Sequence, residues 1–129
     1  GVYIKEKTDV NLPNAVYSVY GRGNTINSGT INSDQQSSKL YFGGDVKVTT
    51  TSNTQTMKGQ SFFYGKYTTE ATMNFNIENE GLVYIADDVD AQETSVYVRS
   101  SGLYCYGRSV KFKNIDGDAG RIYLINLPI

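Results

Sequence analysis

A short aromatic segment recurs along this chain about every twenty residues. This repeat constrains the fold more than any other feature. One set of segments ends in Tyr, Gly and a basic residue, and its tyrosines are Tyr20, Tyr64 and Tyr106. A second set places a tyrosine between two apolar residues, and its tyrosines are Tyr3, Tyr41, Tyr84 and Tyr123. Because the two sets alternate, the repeating unit is about twenty residues and every second unit is most alike, which is typical of solenoids.

Stretches of alternating apolar and polar residues follow most of the aromatic segments. They occupy 45–49, 72–77, 94–99 and 110–113. This alternation is typical of β-strands, because successive side chains point to opposite faces of a sheet. Eleven Tyr and five Phe, against only two Pro, also suit pleated and half-buried surfaces. The sequence therefore predicts a single all-β domain over residues 1–129.

The period favours one architecture and leaves two others open. We predict a short β-solenoid, a right-handed parallel β-helix of about six to seven rungs stacked at ~4.8 Å. In this fold Tyr41, Tyr64 and Tyr84 would sit one above the next. A unit of 43 residues, one third of the chain, would instead suit a threefold β-trefoil or β-prism. The chain has no Trp for the Gln-x-Trp signature of ricin-type trefoils. A β-sandwich whose segments are similar by chance is the third architecture.

Stacked coils would also align the charged residues that follow the aromatic segments. These residues are Arg22, Asp45, Lys66, Asp88 and Arg108. Their signs alternate, so neighbouring coils would present opposite charges and a slip by one coil would bring like charges together. The same five residues are our candidates for ligand contact. The other interpretation is that they are ordinary solvated turn charges, each contributing little to stability.

Residues that the chain lacks exclude several chemistries. Without any histidine, the Ser-His-Asp and Cys-His mechanisms and His-ligated zinc are excluded. The single cysteine, Cys105, excludes an intrachain disulfide and a thiolate metal cluster, and its neighbours predict a buried strand thiol. Carboxylates can cleave glycans without histidine, so two acidic clusters are the remaining catalytic candidates. One contains Asp87, Asp88, Asp90 and Glu93, and the other contains Asp116 and Asp118. We expect no enzymatic activity and no cofactor.

Asp116 and Asp118 flank Gly117 in a polar stretch. Carboxylates at alternate positions around a glycine suit calcium. The stretch lacks the closing Glu of an EF-hand loop, and Asp-Gly is typical of a tight turn. We therefore expect a turn here, with calcium binding as the alternative.

Charge and hydropathy favour neither nucleic acid nor membrane as a partner. Twelve basic and thirteen acidic residues leave a net charge of −1. Nucleic-acid and anionic-membrane binding are normally accompanied by a basic excess. Insertion into a bilayer by a helix needs about 18 consecutive apolar residues, and no such stretch is present.

In period and composition the chain resembles the β-helical segments of bacteriophage tail fibres and tailspikes and of bacterial surface adhesins. Their rungs also combine apolar alternation with turns of Asn, Gly, Thr and Ser, and the resemblance covers most of the chain without a diagnostic motif. It implies a non-enzymatic structural and binding module of an extracellular or virion fibre, spike or surface filament. We expect contact with a cell-surface glycan or protein receptor.

Self-association is a further expectation, because the ends of a short solenoid expose unpaired strand edges. A parallel trimer or an end-to-end stack would cover such edges. Two other functions stay open. One is a soluble carbohydrate-binding lectin of trefoil or prism type, with a sugar site at each Tyr-Gly-basic segment. The other is a polysaccharide-degrading enzyme on a β-helix.

Overall fold

The computed structural model describes residues 8–11, 16–19, 26–32, 39–48, 54–69, 72–117 and 120–124. The regular elements in these residues are fourteen strands. They are β1 (Thr8–Asn11), β2 (Val16–Val19), β3 (Ile26–Asn32), β4 (Lys39–Phe42), β5 (Val46–Val48), β6 (Thr54–Met57), β7 (Gln60–Phe63), β8 (Tyr67–Thr69), β9 (Met73–Ile77), β10 (Leu82–Ile85), β11 (Val89–Val98), β12 (Gly102–Cys105), β13 (Val110–Asp116) and β14 (Arg121–Leu124). A search of this part of the chain for a membrane-spanning helix finds none.

Six strands form one parallel sheet, the six-stranded sheet, in the order β14-β12-β10-β7-β4-β2. Each strand pairs with the equivalent strand of the next coil. Tyr41 pairs with Phe62, Phe62 with Tyr84, Tyr84 with Tyr104, and Tyr104 with Tyr123. The chain thus returns to the same place after about twenty residues, as its period predicts.

The remaining eight strands form the eight-stranded sheet, which has two limbs joined through the long strand β11. The first limb runs β1-β3-β5-β8 and pairs with the start of β11. The second limb contains β6 and β9 and pairs with the end of β11. β13 continues both limbs by pairing along β11. Each coil therefore has three faces: the six-stranded sheet and the two limbs.

The fold is a β-solenoid of about four turns. This confirms the all-β solenoid prediction, and the parallel pairing removes the trefoil, prism and sandwich alternatives, whose sheets are antiparallel. The prediction of six to seven rungs is wrong. Dividing the chain length by the period counts terminal strands such as β1 and β14 as whole turns, although a turn needs strands on all three faces. Handedness stays a prediction.

The interior consists of columns in which one coil's side chain lies over the equivalent side chain of the next. Val46, Tyr67 and Val89 form one such column and are at most 1% exposed. The rings of Phe42 and Phe63 stack at 4.9 Å between centroids, with planes 5° apart. Burial of a large apolar side chain contributes about 1.5–3 kcal/mol, so these columns supply much of the stability of the stack.

One buried polar contact joins the two limbs inside the coil. The Tyr67 hydroxyl donates a hydrogen bond to the Gln55 side-chain oxygen at 3.1 Å, and both residues are fully buried. Burial raises the pKa of Tyr67 far above its usual range, although the Gln55 hydrogen bond acts in the opposite direction. Tyr67 is therefore a neutral donor in the core, and its hydroxyl satisfies one of the two polar groups of the Gln55 amide.

Glycines stack at the corner between the six-stranded sheet and the first limb. Two buried glycines, Gly44 and Gly65, lie there in neighbouring coils, and a third, Gly107, lies there two coils later. A Cβ on Gly65 would lie 2.5 Å from the carbonyl carbon of Gly44 and 2.6 Å from the amide nitrogen of Asp45. These atoms are backbone of the preceding coil, so no side-chain movement relieves the overlap. The coils can approach to strand spacing at this corner because glycine is present.

Gly65→Ala should destabilise the fold by about 1–3 kcal/mol, since overpacking against backbone forces the coils apart. Urea denaturation followed by circular dichroism measures this change. Gly43→Ala is the matched control: Gly43 is exposed, and the equivalent positions of later coils hold Tyr64, Ala86 and Tyr106. If the two variants unfold at the same urea concentration, the proposed role of close coil approach at Gly65 is wrong.

Candidate functional site

In the part of the chain that the structure describes, the outer surface of the six-stranded sheet carries seven aromatic rings. We call this surface the aromatic face. Its members are Tyr41, Phe62, Tyr64, Tyr84, Tyr104, Tyr106 and Tyr123. Five of them form a column in which each residue pairs in register with the next, and the other two lie beside it. The face is the largest aromatic feature among the described residues that faces away from the core.

Strand alternation explains why these rings point outward. In β4 the residues on either side of Tyr41, Leu40 and Phe42, are buried, so Tyr41 lies on the opposite surface. The same pattern holds around Tyr84, between Val83 and Ile85. The sequence contained this signal, because a tyrosine between two more apolar residues is the residue that a half-buried strand turns outward. Our sequence reasoning did not assign any ring to this surface.

The prediction that Tyr41, Tyr64 and Tyr84 sit one above the next is wrong for Tyr64. Phe62 occupies the position between Tyr41 and Tyr84, and Tyr64 lies two residues further along the chain. A shift of two residues keeps a side chain on the same surface. Tyr64 therefore belongs to a second row of the same face rather than to the column.

The ring geometry divides the column into stacked and tilted parts. Tyr41 and Phe62 stack at 4.9 Å with planes 9° apart, and Tyr104 and Tyr123 have the same geometry. Stacked rings cover each other's faces and turn their edges to solvent. Tyr84 is tilted by 45° from Phe62 at 6.1 Å. The two halves of the column are therefore separated by a differently oriented ring.

The second row alternates large and small residues. Register places Gly43, Tyr64, Ala86 and Tyr106 at successive positions of this row. The Tyr84 ring lies 5.9 Å from Tyr64 and 5.0 Å from Tyr106, centroid to centroid, with tilts of 57° and 44°. Tyr64 is 48% exposed. Tyr106 is half-buried. A tyrosine ring thus recurs at every second coil of this row, about 9.6 Å apart along the solenoid.

The predicted charge column lies at the adjacent corner. Asp45, Lys66 and Asp88 directly precede the paired residues of β5, β8 and β11, so they occupy matching positions in successive coils. Arg108 lies one residue before its matching position, which Ser109 holds, because that corner is one residue longer. Arg22 lies outside the described residues. Whether these residues contact a ligand stays a prediction.

The two carboxylates of this charge column, those of Asp45 and Asp88, accept hydrogen bonds from the backbone of the next coil. Asp45 Oδ1 accepts a hydrogen bond from the Lys66 amide at 2.8 Å. Asp88 Oδ1 accepts from the amides of Arg108 and Ser109 at 2.9 and 3.1 Å. Hydrogen bonds to a charged acceptor are stronger than exposed ion pairs. These carboxylates therefore join successive coils through the backbone.

Of the acidic candidates for catalysis or metal binding, Asp87 and Asp88 lie at the corner between β10 and β11, whereas Asp90, Glu93 and Asp116 lie on strands of the eight-stranded sheet. A groove of about 410 Å³ there is lined by Lys47, Thr68, Thr69, Asp90, Gln92 and Glu93. Within it the Gln92 amide donates a hydrogen bond to Asp90 at 2.9 Å. No cluster of three or more potential metal ligands occurs in the described ranges. Asp116 is exposed, and Asp118 lies outside those ranges, so calcium binding there stays a prediction.

Cys105 is fully buried in β12, in the inward column that also contains Ile85. Burial raises the pKa of its thiol to about 12. The reactive thiolate is therefore scarce at neutral pH, which suits a core side chain and not a nucleophile.

No protein-family model, curated protein or solved structure matches this chain. The class that the fold and the face define is a β-solenoid with an aromatic outer surface.

The raised pKa predicts how the thiol responds to pH. Folding keeps the thiol protonated, so stability from this group is fully present below the ordinary pKa of 9.0 and falls as pH rises above it toward about 12. Native protein at pH 8 should react with Ellman's reagent at least about a hundredfold more slowly than urea-unfolded protein. Equal rates in the two states would contradict the burial of Cys105.

Proposed function

We propose that this protein is a non-enzymatic structural and binding module of an extracellular or virion fibre, spike or surface filament, and that it binds its receptor through the aromatic face. The observation that carries the proposal is the outward orientation of seven rings on one sheet. Tyrosine combines apolar area with a hydroxyl, which suits binding surfaces. Exposed aromatic surface gathered in one place is typical of interaction sites.

Strand pairing and the hydrogen bonds at the corner make the aromatic face rigid. Four of its strands, β4, β7, β10 and β12, are paired with equivalent strands on both sides, and its corner is held by the carboxylate–amide bonds of Asp45 and Asp88. Side chains on such strands keep their positions when a ligand binds, which reduces the entropy lost on binding. A rigid, elongated platform is what a fibre or spike needs to present a receptor contact.

The C-terminal end of the solenoid supports self-association. Inner coils keep their core residues almost fully buried, whereas the last strands leave equivalent residues partly exposed. These residues are Val110, Phe112, Ile115 and Ile122, with Leu124 at 42% exposure. Strand β13 is also the last strand of its sheet among the described elements. An edge of this kind accepts a further strand, so we propose end-to-end stacking of copies.

Light scattering on the purified chain tests the stacking. The mass should rise above the 14.3 kDa monomer as concentration increases. Leu124→Lys should suppress the rise, because it places a charge on the end surface, where the side chain is already partly exposed. Asn74→Lys is the control, since it adds the same charge to an exposed position on the side of the solenoid. A stable monomer at millimolar concentration would falsify end-to-end stacking.

Binding to a panel of intact bacterial cells tests the role of the aromatic face. Fluorescently labelled protein should bind some members of the panel, and Tyr64→Ser with Tyr106→Ser should reduce binding about tenfold or more. Tyr97→Ser is the control, because Tyr97 is a half-buried outward tyrosine on the second limb. Equal losses in both variants, or no binding by the unchanged protein, would refute the proposed function.

A further inference from the structure

We infer that the ligand of the aromatic face is an extended, β-linked polysaccharide that lies parallel to the solenoid axis, with one sugar opposite each coil. This inference rests on the proposed function and names the class of ligand. It follows from the size of the face, from the groups that the face presents, and from the two-coil alternation of its second row.

The size of the face favours a narrow ligand over a protein. Five strands, β4, β7, β10, β12 and β14, give a height of about 24 Å, and the outward rows span about 16 Å across the strands. The face therefore covers roughly 400 Å². A stable protein interface needs about 800 Å² from each partner. The strip is too small for a stable protein dimer and has the proportions of a single polymer chain.

The groups on the face suit sugars better than nucleic-acid bases. Bases bind by stacking on free ring faces. In the stacked pairs, Tyr41 with Phe62 and Tyr104 with Tyr123, the rings cover each other at 4.9 Å. What these pairs turn outward is ring edges, three of which carry hydroxyls. Hydroxyl donors and acceptors beside apolar ring edges match the hydroxyls and C–H groups of a pyranose ring.

The charge of the surface also favours a polysaccharide over a nucleic acid as the ligand. Every residue in the column and in the second row of the aromatic face is uncharged. Cations lie at the corners of the sheet: Lys39 and Arg121 are exposed four coils apart at one corner. At the other corner Lys66 and Arg108 are interleaved with Asp45 and Asp88, so no continuous series of cations forms there. A nucleic acid carries one phosphate per nucleotide and binds through a corresponding series of cations. The sparse charge on this face fits a neutral or weakly charged chain.

The second row has the period of a β-linked chain. In an extended β-1,4-linked polysaccharide each sugar advances about as far as one coil, and successive sugars are turned over, so the same edge recurs at every second sugar. Tyr64 and Tyr106 recur at every second coil, with Ala86 between them. The tyrosines can therefore contact the same edge of alternate sugars, while Ala86 leaves room for the bulkier edge of the sugar between them.

Calorimetric titration of the full chain with β-1,4-linked oligosaccharides of glucose, N-acetylglucosamine, xylose and mannose tests the inference. At least one series should bind, with affinity increasing from the disaccharide to the tetrasaccharide or hexasaccharide as more coils are engaged. Tyr64→Ala with Tyr106→Ala should weaken binding about tenfold or more, and Tyr97→Ala should leave it unchanged. Circular dichroism and thermal melting establish that each variant is folded.

Ala86→Tyr tests the alternation itself. Added aromatic area would strengthen binding if the face were a general hydrophobic surface, whereas a ring between Tyr64 and Tyr106 should weaken oligosaccharide binding about tenfold if alternate sugars differ in orientation. Stronger binding by Ala86→Tyr overturns the inference. Binding of single-stranded oligothymidine with the same dependence on Tyr64 and Tyr106 also overturns it.

Treating the cells of the binding panel separates failure of this inference from failure of the proposed function. Binding that depends on the aromatic face, survives periodate oxidation of the cells and is lost after proteinase K means a protein receptor, so the polysaccharide inference is wrong and the proposed function stands. Absence of face-dependent binding to any cells means that both are wrong. Binding lost after periodate and retained after proteinase K supports both.

Discussion

Parallel pairing of each strand with its equivalent one coil later is the interaction on which the rest of this structure depends. It places residues about twenty positions apart in contact, so rings meet rings on both surfaces: Phe42 on Phe63 inside, and Tyr41 on Phe62 outside. A slip of one residue would exchange the inner and outer columns. One strand register therefore fixes both the inner columns of the core and the outer column of the aromatic face, and a change of register would alter both.

The corners between the faces maintain this register. Asp45 and Asp88 hold backbone amides of the following coil, and Gly65 allows the coils to approach to strand spacing. The carboxylates occur in alternate coils, and between them lie coils whose corners carry Gly and a basic residue. Sequence segments two coils apart are therefore more alike than neighbours, because a corner that provides a carboxylate and a corner that provides amides need different residues.

The same alternation governs the proposed binding surface. Large rings at Tyr64 and Tyr106 are separated by Ala86, so the exposed surface repeats every two coils. A polymer that presents the same edge at every second unit would meet equivalent contacts along the solenoid. A stack of copies, joined at the end where Leu124 is exposed, would lengthen this surface. Structural and binding roles would then depend on one repeating arrangement.

The sequence by itself determined the β class and a period of about twenty residues and favoured the solenoid, because alternation and repeat length follow directly from the order of residues. It also aligned Asp45, Lys66 and Asp88 correctly, since each directly precedes a strand. Three features were decided only by the tertiary structure: the place of Phe62 between Tyr41 and Tyr84, the bonding of the corner carboxylates to amides, and the gathering of seven rings on one outer face. Each depends on the register between neighbouring coils, that is, on which residue of one coil lies over which residue of the next. A difference of one or two residues between coils changes this register, and the repeat in the sequence is too irregular to define it to a single residue.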